Sequence, residues 1–141
     1  METLPDPRWQ PALAHSRYLS NLLQARPDLV PELAATWQQP LTEDLLRAPL
    51  AGDFADDDAV RRALRRLRQR AMAHLTIRDL CGLAPLAEIV EGMTLLADVT
   101  TNFALDHYHR QLAATYGEPL DGRGRPQRLL VIGMGKLGGR E

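Results

Sequence analysis

The first third of the chain alternates short helical patterns with proline breaks. Leu19 and Leu23 belong to an apolar run at helical spacing that ends before Pro27. Asp28 is an N-cap candidate for a second helix, which carries apolar residues as far as Trp37. The residues that follow show a weaker pattern, which predicts a short helical turn and then a loop.

Two much longer helical patterns come next. The first begins after three aspartates, whose charge favours a helix N-terminus, and is expected to run to about Leu80 with Gly82 as a left-handed stop. The second is expected between Pro85 and Gly117. Their predicted apolar stripes are, in the first, Val60, Leu64, Leu67, Ala71 and Leu75, and in the second, Leu86, Ile89, Met93, Leu96, Thr100, Phe103 and His107. Two long helices joined by a short turn are expected to pack antiparallel.

The chain changes character after the second long helix. Residues 117–126 are dense in glycine, proline and charge, which indicates a connecting loop. Leu129–Ile132 is a short apolar run bounded by turn signals, typical of a strand in a sheet covered on both faces. One strand cannot satisfy its own backbone hydrogen-bonding groups, so we expect partner strands outside this sequence. Three parts are predicted: a helical module over 1–116, the loop over 117–126 and an incomplete α/β core starting over 127–141.

Composition supports the helical interpretation and narrows the class of protein. Leucine and alanine dominate the apolar residues and aromatic residues make up only 5% of the chain, which favours helix over strand. A net charge of −1 argues against a protein held to nucleic acid by bulk positive charge. The single cysteine, Cys81, excludes an internal disulfide framework. With no apolar run long enough to cross a membrane and no signal peptide, the sequence predicts a cytoplasmic protein.

The residues most suggestive of chemistry follow the predicted strand. The segment from Gly133 to Gly138 matches the G-x-G-x-x-G template, but a dinucleotide site also needs a following helix, a second strand and a downstream acidic residue. The phosphate-loop template fails because Leu137 stands where a hydroxyl is needed. Backbone N–H groups with Lys136 nearby can still form a cradle for phosphate. From the residues alone, a phosphate site and a tight turn without a ligand remain equal alternatives.

Other polar clusters carry weaker signals. The arginines of residues 61–70 could form a patch for nucleic acid or an acidic partner, but the aspartates just upstream and the lack of interleaved aromatics favour a solvated helix face. His107 and His109 are two apart on a predicted helix, so they point to different sides and cannot share a metal ion. Cys81 has no neighbouring base and is predicted to be a small buried residue. The sequence therefore assigns no catalytic residue and no metal ligand.

The C-terminal residues resemble a known family. Leu129–Glu141 is closely similar to the nucleotidyltransferase core of the glutamate–ammonia-ligase adenylyltransferases, bifunctional enzymes that add AMP to glutamine synthetase and remove it. Residues 66–83 resemble the helical segment that precedes that core, and Tyr116–Pro119 fits the approach to its strand. The similarity is clear over about residues 59–141 and looser over the N-terminal part.

The resemblance implies a fold and a site. The chain would be mainly α, a helical module followed by the first strand and glycine turn of a polymerase-β-like α/β core. The positions that match the family's nucleotide-phosphate turn are Gly133, Gly135, Lys136, Gly138 and Gly139. Enzymes of this family contain two such cores in one chain. Met134 and the short distance between Met1 and the motif resemble the N-terminal core. That core is associated with removing AMP by phosphorolysis.

The family also implies ligands and partners. Its enzymes use ATP or phosphate with Mg²⁺, act on glutamine synthetase in the regulation of nitrogen assimilation, and respond to a PII-type signal protein. The Asp-x-Asp pair that binds Mg²⁺ in the family lies on the strand after the glycine turn, beyond Glu141. We therefore expect this chain to be an N-terminal fragment that is catalytically inactive alone.

Two other functions stay open at this stage. A truncated dinucleotide-binding oxidoreductase would carry an acidic residue at the end of the next strand instead of an Asp-x-Asp pair. A non-catalytic helical interaction module would use the arginine face as its contact surface, and residues 1–116 would fold without Leu129–Glu141.

Overall fold

Helices make up most of the chain. The computed structural model describes residues 5–139. Its α-helices are α1 (Gln10–His15), α2 (Arg17–Ala25), α3 (Val30–Thr36), α4 (Glu43–Arg47), α5 (Asp57–Leu80), α6 (Leu86–Tyr116) and α7 (Lys136–Gly139). Short 3₁₀ turns lie at Pro7–Trp9, Pro27–Leu29 and Ala48–Leu50. Over residues 5–139 the only β pairing is an isolated bridge between Leu120 and Pro126, so the prediction of a mainly α chain is confirmed. None of these described helices is long and apolar enough to span a membrane.

The long helices begin and end at the predicted signals. The Asp56 carboxylate accepts a hydrogen bond of 2.7 Å from the Ala59 N–H and so caps α5. After α5, Gly82 adopts a left-handed φ of 70°, and Gly117 ends α6 with a φ of 86°. The predicted bounds of α5 and α6 are therefore confirmed.

Helix α5 contributes to two hydrophobic clusters that together form the core. The cluster with the N-terminal helices consists of Trp9, Ala12, Leu19, Leu22, Leu23, Leu29, Val30, Leu33, Trp37, Ala73 and Ile77. The cluster with α4 and α6 consists of Leu46, Leu50, Leu67, Ala71, Leu96 and Val99. Because α5 is the shared element, burial extends around more of its surface than the single predicted stripe.

The buried face of α6 is rotated from the predicted stripe. Leu86 and Met93 are exposed, whereas Gly92 and Val99 are buried. A Cβ added at Gly92 would lie 2.7 Å from a Leu75 methyl carbon, so the missing side chain lets α6 approach α5 closely. The stripe was predicted from side-chain hydrophobicity, which cannot identify a glycine as the contact point.

Ion pairs connect α5 to the helices that precede it. The Asp28 carboxylate accepts hydrogen bonds from Arg26, at 3.0 Å, and from Arg66 of α5, and these hold the pKa of Asp28 well below its usual range. The prediction that Asp28 caps α3 is wrong, since Leu29 occupies the N-cap without a side-chain hydrogen bond. Arg66 also bonds Glu32 of α3. This part of the arginine face is therefore structural.

A second polar layer is buried between α5, α6 and the end of α3. Arg78 is almost fully buried, and its guanidinium donates to Glu88 Oε1 at 2.7 Å and to the Trp37 carbonyl at 3.0 Å. His74 Nε2 lies 3.0 Å from the Gln39 carbonyl, and burial lowers the pKa of this imidazole. The neutral ring can donate from Nε2 to that carbonyl, so both buried side chains have partners.

The predicted strand has no strand partner in the described part of the chain. Residues 129–132 have no regular secondary structure, and their side chains are 60–81% exposed. The segment is held beside α6 by an ion pair between Arg128 and Asp106. An apolar run forms a strand only when other strands supply hydrogen-bonding partners, which explains the irregular conformation.

Candidate functional site

The glycine motif forms a tight turn that leads directly into α7. Gly135 has a φ of 65°, in the left-handed region that favours glycine. The Gly139 N–H donates to the Gly135 carbonyl at 2.8 Å and closes the turn. Lys136 is the first residue of α7, is exposed, and makes no ion pair with any residue of 5–139. A cation with no ion-pair partner among the described residues therefore lies beside backbone N–H groups at the start of a helical turn.

The turn also depends on a close backbone contact between its two ends. A Cβ added at Gly138 would lie 2.5 Å from the Gly133 carbonyl oxygen and 2.9 Å from its carbon. Both are backbone atoms, so no side chain can move away to make room. A Cβ at Gly133 would meet nothing nearer than 3.5 Å, which is ordinary contact. Glycine is thus required at 138 by packing and favoured at 135 by conformation.

The five predicted site residues lie within one exposed structural unit. Gly133 and Gly138 are in contact, Gly135 provides the left-handed turn, Lys136 begins α7, and Gly139 is the last described residue. The structure therefore brings the candidates together, while their role in binding phosphate stays a prediction.

A cleft of about 430 Å³ separates the glycine turn from α6. Gly133, Leu137 and Gly138 line one wall. The other wall is formed by α6, with the buried Thr94 and three more accessible polar side chains, Asp98, Thr101 and Asn102. Sequence analysis did not identify these three residues, although Asp98 and Asn102 are four apart and so share a helix face. They belong to the candidate site only because the glycine turn lies beside α6, and the sequence pattern of α6 does not show that placement.

The loop before the site is ordered by its own hydrogen bonds. The Asp121 carboxylate accepts from the backbone N–H groups of Arg125, at 3.0 Å, and Arg123, at 2.8 Å. These bonds, with the Arg125 side chain, lower the pKa of Asp121. His109 Nε2 lies 3.1 Å from a Glu118 carboxylate oxygen, which ties the start of the loop to α6. The segment that leads to the turn is therefore attached to α6 at two points, through Glu118 and Arg128.

The other candidate residues have structural surroundings. His107 is half-buried and stacks on Phe103 at 6.0 Å between ring centroids, as expected for a helix-packing residue. His107 and His109 have different neighbours, Phe103 for the first and Glu118 for the second. Cys81 is partly buried, with its Sγ 3.4 Å from the Arg8 carbonyl. Across residues 5–139, no group of three or more His, Cys, Asp or Glu side chains could hold a metal ion.

Comparison with known proteins gives a consistent result. The family model described as glutamate-ammonia ligase adenylyltransferase matches residues 8–141. The bifunctional glutamine synthetase adenylyltransferase/adenylyl-removing enzyme of Aromatoleum aromaticum is 44% identical over 130 residues, which cover 92% of this chain and 14% of that protein. Its counterpart in Bordetella pertussis is 41% identical over 143 residues, or 96% of this chain and 15% of the protein. The chain thus spans about 15% of the length of these relatives.

Proposed function

Because the chain belongs to the glutamate-ammonia ligase adenylyltransferase family, we propose that it supplies the helical module and the nucleotide-phosphate turn of an enzyme acting on glutamine synthetase. Such an enzyme transfers AMP to and from its protein substrate, and its turn must hold the phosphates of the nucleotide. The observation that carries the proposal is the glycine turn itself. Gly135 has a left-handed backbone, and only glycine fits the close backbone contact at Gly138. Lys136 makes no ion pair with any described residue.

The turn has the parts that a phosphate group needs. N–H groups at the start of a helical turn have no intrahelical carbonyl partner and can donate to phosphate oxygens. Glycines without Cβ atoms let those oxygens approach the backbone, and the Lys136 ammonium group adds positive charge. The resemblance to the family's N-terminal core implies that the turn takes part in the removal of AMP by phosphorolysis.

The apolar segment before the turn supports the proposal that a polymerase-β-like α/β core begins there. Residues 129–132 have the composition of a buried strand, yet they are 60–81% exposed in the structure. We infer that they form the first strand of a polymerase-β-like α/β core when other strands of a longer protein pair with them. Pairing would bury both the side chains and the unpaired backbone groups.

The described residues do not fit a Mg²⁺ site. No suitable group of carboxylates is present in residues 5–139, and in the sequence no Asp-x-Asp pair follows the glycine motif. Mg²⁺ chemistry is therefore assigned to acidic residues elsewhere in the longer family protein. The chain alone is expected to bind the phosphates of ATP without catalysing AMP transfer. Regulation by a PII-type signal protein is likewise a proposal from the family resemblance.

Lys136→Ala tests the role of the turn in binding phosphate. Loss of a charge-assisted hydrogen bond is expected to weaken ATP binding by about tenfold or more, as measured by calorimetric titration of the 141-residue chain. Lys136→Arg should retain most of the affinity, because it keeps the positive charge. Arg68→Ala removes a positive charge from an exposed position on α5, distant from the turn in the sequence, and should leave ATP binding unchanged. Equal affinities of the wild type and Lys136→Ala would refute the proposed role.

A further inference from the structure

Three polar side chains of α6 face the glycine turn and have no side-chain partner among residues 5–139. Asp98, Thr101 and Asn102 line the cleft of about 430 Å³ opposite Gly133 and Gly138. Over residues 5–139 none of the three makes a side-chain hydrogen bond or an ion pair. They lie at i, i+3 and i+4, so a single ligand beside the helix can reach all of them.

Neighbouring polar groups on the same helix are already engaged. The hydroxyls of Thr94 and Thr100 donate to carbonyls of α6 itself, at 3.0 Å and 2.8 Å. Further along, Asp106 pairs with Arg128, and His109 with Glu118. Thr94 lines the same cleft but its hydroxyl is satisfied within α6, whereas Asp98, Thr101 and Asn102 have no side-chain partner among residues 5–139. This difference singles out the Asp98–Asn102 surface as a place for an external hydrogen-bonding group.

We propose that this cleft holds the ribose of the nucleotide whose phosphates lie at the glycine turn, with Asp98 and Asn102 as its hydrogen-bonding residues. The inference rests on the proposed function and adds to it the residues that distinguish a nucleotide from bare phosphate. The Asp98 carboxylate can accept hydrogen bonds from ribose hydroxyls, as acidic residues do in other nucleotide sites. The Asn102 amide can both donate and accept, so the pair matches a diol.

Charge determines which part of the ligand enters the cleft. Asp98 is negative and repels phosphate, whereas Lys136 is positive and does not line the cleft. A nucleotide therefore binds with its phosphates near Lys136 and its uncharged sugar near Asp98. The cleft volume of about 430 Å³ lies in the range of small-molecule sites. Leu137 on the facing wall supplies an apolar surface beside the polar residues.

Four ligands separate the sugar contacts from the phosphate contacts. Calorimetric titration of the 141-residue chain compares ATP, 2′,3′-dideoxy-ATP, 2′-deoxy-ATP and inorganic tripolyphosphate. We expect ATP to bind about three- to tenfold more tightly than dideoxy-ATP, the effect of one or two hydrogen bonds. Asn102→Ala and Asp98→Asn should both abolish this preference. Asn102→Ala should leave tripolyphosphate binding unchanged, and Asp98→Asn, which removes a repelling charge, should not weaken it. Gln111→Ala, an exposed control on the same helix, should preserve it.

The outcomes distinguish this inference from the proposed function. If ATP and dideoxy-ATP bind equally well to the wild type, the ribose assignment is wrong while the phosphate turn stands. If the preference survives in both α6 variants, other residues hold the sugar and the assignment is again overturned. If neither ATP nor tripolyphosphate binds, the proposed phosphate role itself fails. Helical circular dichroism of each variant verifies that a lost preference does not come from unfolding.

Discussion

Gly138→Ala is expected to weaken ATP binding strongly while leaving the helical module folded. The new Cβ would lie 2.5 Å from the Gly133 carbonyl oxygen and 2.9 Å from its carbon, so the backbone of the turn must open. Opening the turn displaces the N–H groups that are proposed to hold phosphate. We expect at least about a tenfold loss of affinity, since several charge-assisted hydrogen bonds change together. Calorimetric titration measures the loss, and thermal unfolding checks the helices.

Gly133→Ala is the matched control in the same turn. Its added methyl group would meet nothing closer than 3.5 Å, so the turn should keep its geometry, and any loss of ATP affinity should be smaller than in Gly138→Ala. Amide chemical shifts of residues 133–139 should move widely in the Gly138 variant and only locally in the Gly133 variant. Full ATP affinity in Gly138→Ala would mean that the compact turn is not the binding conformation.

Arg78→Met is expected to cause the largest loss of stability. The Arg78 side chain is only 4% exposed and bonds both Glu88, at 2.7 Å, and the Trp37 carbonyl, at 3.0 Å. Removing the guanidinium leaves a partly buried carboxylate and a carbonyl without their partners. Breaking a buried pair in this way lowers the free energy of unfolding by about 3–5 kcal/mol. Urea denaturation followed by circular dichroism measures the change.

Two further variants test this explanation. Arg68→Met removes an exposed arginine of the same helix and should change the free energy of unfolding by no more than about 0.5 kcal/mol. The double variant Arg78→Met/Glu88→Leu removes both charges and should recover part of the lost stability, because no unpaired carboxylate remains. A double variant less stable than Arg78→Met alone would contradict the assignment of the loss to Glu88.

The sequence was sufficient to predict the long helices, because their signals are local. Asp56 caps α5 and Gly82 and Gly117 terminate α5 and α6, and each acts through its own backbone conformation or side chain. The orientation of α6 was less predictable. It depends on Gly92, whose missing side chain admits Leu75 of the neighbouring helix. Because glycine has no side chain, this contact leaves no hydrophobic signal in the sequence.

Long-range ion pairs account for other differences from prediction. Asp28 has the identity of an N-cap residue, but Arg66 lies 38 positions away in sequence and, with Arg26, engages its carboxylate. The buried position of Arg78 was also not predictable, because arginine is usually exposed and its partners come from α6 and from the residue after α3. Such pairs are determined by the packing of helices and not by spacing along one helix.

The residues of the candidate site also differ in whether the sequence alone could identify them. The glycines and Lys136 are adjacent in sequence, so a local motif and a family resemblance identified them. Asp98 and Asn102 precede the motif by more than thirty positions, and only the placement of the turn beside α6 relates them to it. Residues that join a site through tertiary packing are visible only once the fold is known.

A chimeric enzyme tests the central claim most directly, namely that this chain provides a working part of an AMP-transferring enzyme. The matched 130 residues of the Aromatoleum aromaticum protein would be replaced by those of this chain. We predict that the chimera removes AMP from adenylylated glutamine synthetase in the presence of phosphate, whereas the 141-residue chain alone does not. A chimera that still adds AMP, and is therefore folded, but no longer removes it would contradict the account, as would AMP removal by the chain alone.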